Sequence, residues 1–202
     1  MQASTIAGQD HALRRTVILV AALNGAYFGI EFAVGFAIGS VSLFADSVDF
    51  LEDASINVLI AAGLNWSARR RARLGMGLAL ILLAPAAAGL WTAWQKLLSL
   101  APPAPLPLTL TGLGALAVNF SCAMMLAKFR DHSGSLTRAA FLSARNDAIA
   151  NIAIIAAGAV TAYLWCSAWP DLIVGVSIAI MNADAARDVW RTAHEEHRTA
   201  RD

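Results

Sequence analysis

Six carboxylates sit where an apolar chain should not carry them: Glu31, Asp46, Asp49, Glu52, Asp53 and Asp147 each fall inside a long hydrophobic run. Asp49 and Asp53 are four residues apart, so on a helix they share a face and stand about 6 Å apart along the axis. Asp46 lies on the same face one turn earlier, while Glu52 is rotated well away. A second polar stripe, Ser143, Asn146, Asp147 and Asn151, recurs at helical spacing further along, with Arg145 pointing off it. A carboxylate at mid-bilayer costs about 3 kcal/mol on insertion scales, so six left ionised and unpaired would cost about 18 kcal/mol. That exceeds the roughly 5–15 kcal/mol that holds a typical fold together. The acids must therefore be hydrated, protonated or bound to a cation, and Arg145 alone cannot neutralise them. Three carboxylates with Ser and Asn oxygens around them make an all-oxygen cation site. Such a site suits hard divalent ions, whereas imidazole or thiolate would bias toward zinc.

The elements that must position these acids are membrane helices. The chain has 202 residues, 58% of them hydrophobic and only 14% charged, with a mean hydropathy of +0.59. About 25% charged is usual for a soluble domain, so the composition points to an integral membrane protein. At roughly 20 residues per crossing, little is left for a soluble catalytic domain. Punctuation in the sequence divides it into six predicted spans: about 15–38, 42–65, 75–99, 108–127, 138–164, and from just after Pro170 to about 190. The third stops at the prolines Pro102, Pro103, Pro105 and Pro107, which cannot continue a helix. Helices are required because an unpaired backbone finds no water in lipid. The expectation is an all-α, polytopic, six-helix transmembrane domain over 14–190, with a tail at 1–13 and another at 191–202. The polar N-terminus, with Asp10 and His11, does not read as a signal peptide.

Charge placement orients the helices. Of the fifteen Lys and Arg residues, thirteen fall on one side of a six-span path. They are Arg14 and Arg15, the run Arg69, Arg70, Arg71 and Arg73, then Lys128, Arg130 and Arg138, then Arg187, Arg191, Arg198 and Arg201. Only Lys96 and Arg145 are left over. The positive-inside rule makes both termini cytoplasmic, and the six tryptophans form a belt, with Trp66 and Trp190 at inner ends and Trp91, Trp94, Trp165 and Trp169 at outer ends. The basic run after span 2 doubles as an anchor to anionic lipid. Acidic and basic totals of 14 and 15 exclude a strongly basic nucleic-acid binder. Cys122 and Cys166, far apart and outside any CxxC spacing, suggest neither a disulfide framework nor a thiolate zinc site. With span 2 running inward and span 5 outward, Asp49 and Asp53 lie roughly 10 and 16 Å below the outer end, and Asp147 roughly 14 Å above the inner end. In a core about 30 Å thick all three can meet near mid-membrane.

The residues that carry a family resemblance are Asn24 and Glu31 to Gly35, the stretch Gly39 to Asp53, Asn146-Asp147, and Asp171 to Gly175. On these the chain resembles the cation diffusion facilitators, proton-coupled exporters of divalent metals, over about 14–190. The resemblance implies a tetrahedral transport site built from a His/Asp-xxx-Asp pair on each of spans 2 and 5. Asp49 and Asp53 keep that pattern. Span 5 keeps Asp147 but has Ser143 at the other ligand position, so Ser143, Asn146, Glu52 or water completes the set. Glu31, Asp46 and Glu52 are candidate pathway or proton-coupling residues. With about a dozen residues after Trp190, the resemblance leads us to expect a short member lacking the family's usual cytoplasmic metal-binding domain. The family implies a homodimer, here with its contact largely within the membrane. His194 and His197, and His132 beside Asp131, read most simply as solvated polar positions.

The expected function is efflux of a divalent cation by alternating access with proton antiport, in a bacterial inner membrane. Zinc leads, with cadmium as a common co-substrate and manganese, iron and cobalt left open by Ser143. No resident cofactor is expected. The chain is not expected to be an enzyme, since the GxGD context of an intramembrane aspartyl protease is absent. A non-transporting metal sensor or scaffold is the alternative.

Overall fold

The computed structural model describes residues 2–63, 87–129 and 135–181, with side chains described from residue 11 in the first stretch and from 146 in the third. Everything described is helix or connection, in six helices: α1 Gln2–Ile38 and α2 Val41–Gly63, α3 at 87–99, α4 Pro105–Ala127 and α5 Ser135–Tyr163, and α6 Trp169–Met181. Stretches in α1, α4 and α5 are long and apolar enough to cross a membrane: His11–Ile38, Pro105–Ala127 and Asn146–Tyr163. Helix α2 is as long as α4 but carries four acids, which is what separates it from them in apolar character.

Two boundaries differ from the sequence expectation, each for a local reason. Helix α1 begins at Gln2 rather than near 15, since no proline falls between Ala3 and Leu13 and a polar segment can continue a helix that its neighbour has nucleated. Helix α4 takes Pro105 and Pro107 into its first turn, where a proline's missing N–H would have had no intrahelical partner in any case. The proline cluster thus separates α3 from α4 and also starts α4.

The helices pack as two hairpin-like pairs, α1 on α2 and α4 on α5, joined crosswise by α1 against α4 and α2 against α5. This ring places α2 and α5 side by side. Apolar clusters close both ends of it. Leu13, Val17, Val20, Ile60, Cys122 and Leu126 fill one end; Leu43, Leu108, Ile154 and Ile178 fill the other. The acidic stretch of α2 lies between them. Outward-facing side chains are large and apolar, as at Phe36, Leu90, Leu106 and Tyr163, which suits contact with lipid. Trp91, Trp94, Trp165 and Trp169 are exposed at the end where α3 stops and α6 starts; Trp66 and Trp190 lie outside the described residues.

The turn between α1 and α2 is the most tightly specified connection. Gly39 has φ +61, a left-handed conformation that glycine alone adopts without a Cβ penalty. The Ser40 N–H reaches back to the Gly35 carbonyl at 3.0 Å, closing a Schellman turn. Ser40 then caps α2, its Oγ accepting from the Leu43 N–H at 3.2 Å. Asp171 of α6 completes the cap. Its Oδ1 accepts from Ser40 Oγ at 2.7 Å, from Ser42 Oγ at 2.6 Å and from the Ser42 N–H at 3.2 Å. Its Oδ2 accepts from the Val41 N–H at 2.8 Å. A carboxylate at a helix N-terminus also meets the favourable end of the helix dipole. One turn along α6, a Cβ on Gly175 would stand 2.7 Å from the Ser42 nitrogen and from the Val41 carbonyl carbon, so only glycine lets α6 approach this closely.

Candidate functional site

Helix α2 presents a column of polar side chains toward the interior of the ring. Asp46, Asp49, Asp53 and Asn57 recur three or four residues apart, and all are at most 9% exposed. From α5, Asp147 is partly buried and lies close enough to Asp49 and Asp53 to interact with each electrostatically. Asp147 thus acts on Asp49 and Asp53 electrostatically across the α2–α5 contact. Two amides brace the backbone carrying them: Asn57 Nδ2 donates to the Asp53 carbonyl at 2.8 Å, and Asn151 Nδ2 donates to the Asp147 carbonyl at 2.7 Å. Each keeps its side-chain oxygen buried and without a hydrogen-bond partner, leaving an acceptor available on either helix.

The remaining candidates divide. Glu52 is half-buried; although rotated from the column, it stays within electrostatic reach of Asp49 and Asp147. Asn146 is exposed. Ser143 belongs to the backbone of α5, and its side chain lies outside the described ones, as does that of Arg145; His132, His194 and His197 are outside the described residues altogether. Among the described residues, no three His, Cys, Asp or Glu side chains are drawn together closely enough to form a finished metal cage. Cys122 is buried with its thiol 3.9 Å from Asn24 Oδ1, and Cys166 is exposed; neither is in a disulfide.

Glu31 of α1 faces Asp46 of α2. Both are wholly buried, their carboxyl groups lie within hydrogen-bonding reach of each other, and none of their four oxygens has a donor. Tyr27, one turn before Glu31, directs its hydroxyl instead to the Thr111 carbonyl at 2.6 Å.

Three polar residues carry roles that sequence reasoning did not assign. Asn57 follows Asp53 by four residues, so the same periodicity that aligned the aspartates would have found it. Asp171 has no such local signal, since its partners lie about 130 positions away. Lys96, left over when the bases were sorted, is 6% exposed. Its Nζ sits beside Gly39 and within electrostatic reach of Asp171, so it belongs to the polar cluster at the α1–α2 turn.

Among the described residues, a ring of apolar helices with a buried acidic column on one of them marks a membrane protein of the helical class. The family model for the cation efflux transmembrane domain matches residues 17–195, most of the chain. The chain belongs to this family and is a cation efflux transporter of the membrane. No curated protein matches it significantly.

Proposed function

We propose that the protein exports a divalent metal cation in exchange for protons, by alternating access, with Asp49, Asp53 and Asp147 as the central ligands. The observation that carries this reading is the approach of Asp147 on α5 to Asp49 and Asp53 on α2 within an apolar helix ring. Clustered carboxylates in a low-dielectric interior favour a proton when empty, and a dication reverses that preference. They bind and release protons as a coupled set. Ser143, Asn146, Glu52 or water supplies the remaining oxygens, with the buried Asn57 and Asn151 acceptors one turn further along their helices. Zinc is the leading cargo on family grounds; cadmium, manganese, iron and cobalt compete for the same oxygen-rich site. The chain spans the membrane six times with both termini cytoplasmic, in a bacterial inner membrane, and works as a homodimer.

Flux into proteoliposomes tests the reading. Competition among these five metals at two proton gradients identifies the cargo and the coupling together. Asp49→Ala and Asp147→Ala should each abolish transport, and wild-type rates in either would overturn the assignment. Metal binding without proton-dependent flux would instead make the protein a sensor or scaffold.

A further inference from the structure

Glu31 and Asp46 stand apart from the three aspartates read as cation ligands. They come from two helices packed together, α1 and α2, and neither residue has water-accessible surface. All four carboxyl oxygens lack a hydrogen-bond partner, although the two groups lie within hydrogen-bonding reach of each other. Two ionised carboxylates are acceptors only, so at this separation they repel and satisfy nothing. One proton changes both facts. It converts one group into an O–H donor whose hydrogen bond the other accepts, a short charge-assisted bond, and it leaves a single negative charge in place of two. Paired carboxyls that exclude water hold a proton in common for this reason.

The surroundings favour a proton over a second metal ion. Among the described residues, the titratable groups that face the pair are Tyr27 on α1, Asp49 and Asp53 on α2, and Asp147 on α5. The aspartates add negative potential, and the Tyr27 hydroxyl is already committed to Thr111. With no water-accessible surface on either residue, a dication here would have only the pair's own oxygens as ligands, whereas a shared proton needs one donor and one acceptor and no water.

We propose that Glu31 and Asp46 form a proton-binding site separate from the cation site, holding one proton between them as an acid–carboxylate pair. It rests on the antiport reading only for what the proton is exchanged against. Asp46 lies one helical turn nearer the Gly39–Ser40 turn than Asp49 does, so a proton arriving from that end reaches the pair before it reaches the cation ligands.

Infrared difference spectra of the full, metal-free chain at neutral pH test the proposal. Wild type minus Glu31→Gln and wild type minus Asp46→Asn should show the loss of one and the same protonated-carboxyl band, sensitive to deuterium exchange. Glu31→Asp, which keeps a carboxyl, and Asp49→Ala, which spares the pair, should retain the band. The proposal is overturned if only one of the first two substitutions removes a band, if they remove different bands, if neither removes any, or if Asp49→Ala abolishes it. Zinc calorimetry on Asp49→Ala judges the cation site independently. Wild-type zinc affinity there would sink the cation-site reading, while the band would still decide the fate of the pair.

Discussion

Two buried acids on neighbouring turns show how differently the same chemistry can be used. Asp171 of α6 and Asp46 of α2 are both wholly buried. Asp171 accepts four hydrogen bonds from the start of α2 and has Lys96 nearby. Asp46 accepts none and meets another carboxyl group. A buried carboxylate with a full set of donors is a structural tie, because removing it strands those donors. One without donors adds no tie to a static fold, and the proton-binding role proposed for Asp46 is the use left to it. Between Asp171 and Asp46 the difference is hydrogen-bond satisfaction, and not burial or charge.

Substitutions can break or sharpen that contrast. The largest effect should fall on transport: Asp49→Ala or Asp147→Ala should lower proteoliposome flux by roughly 100-fold or more, since even an outer partner of a metal ligand is worth about 10–100-fold. Next, Asp171→Ala should destabilise the fold by about 3 kcal/mol, the range for breaking a buried, hydrogen-bonded charge, read from denaturant unfolding in detergent. Gly175→Val should cost about 1–3 kcal/mol as its side chain meets the α2 backbone, with the same readout. Gly39→Ala should cost about 1–2 kcal/mol through its left-handed backbone, seen as a lower thermal midpoint. The smallest stability change should come from Glu31→Gln or Asp46→Asn, about 1 kcal/mol or less, because no donor of the wild-type fold is stranded. A loss as large as that of Asp171→Ala would erase the distinction between the two kinds of acid.

Helical periodicity was enough to align Asp46, Asp49 and Asp53 on one face of α2, because a spacing of three or four fixes a face whatever the tertiary context; that Asp147 comes within electrostatic reach depends on the α2–α5 contact. Family resemblance marked Asp171 and Gly175 without explaining them. Their role depends on where α6 lands on α2, a contact between segments about 130 positions apart, and no local pattern encodes that landing. Lys96 was opaque for a related reason. A lone base at a helix end reads as solvent-facing until a distant carboxylate is placed beside it. The pairing of Glu31 with Asp46 needed the crossing of α1 and α2, which is set by packing as close as that of Gly35, where a Cβ would stand 3.3 Å from the Leu43 Cβ.

The two-residue turn between α1 and α2 limits how this half of the protein can move. With Gly39 locked in its turn, Ser40 shared between two helix ends and Asp171 holding the joint from α6, neither helix can slide along the other. Relative motion is restricted to a change of angle about a fulcrum at one end. A lever of this kind is stillest at the joint and widest at the far tip, beside Val17, Ile60 and Leu126. Asp49 and Asp53 sit partway along the arm, where a small tilt changes their distance from Asp147 without unseating the joint.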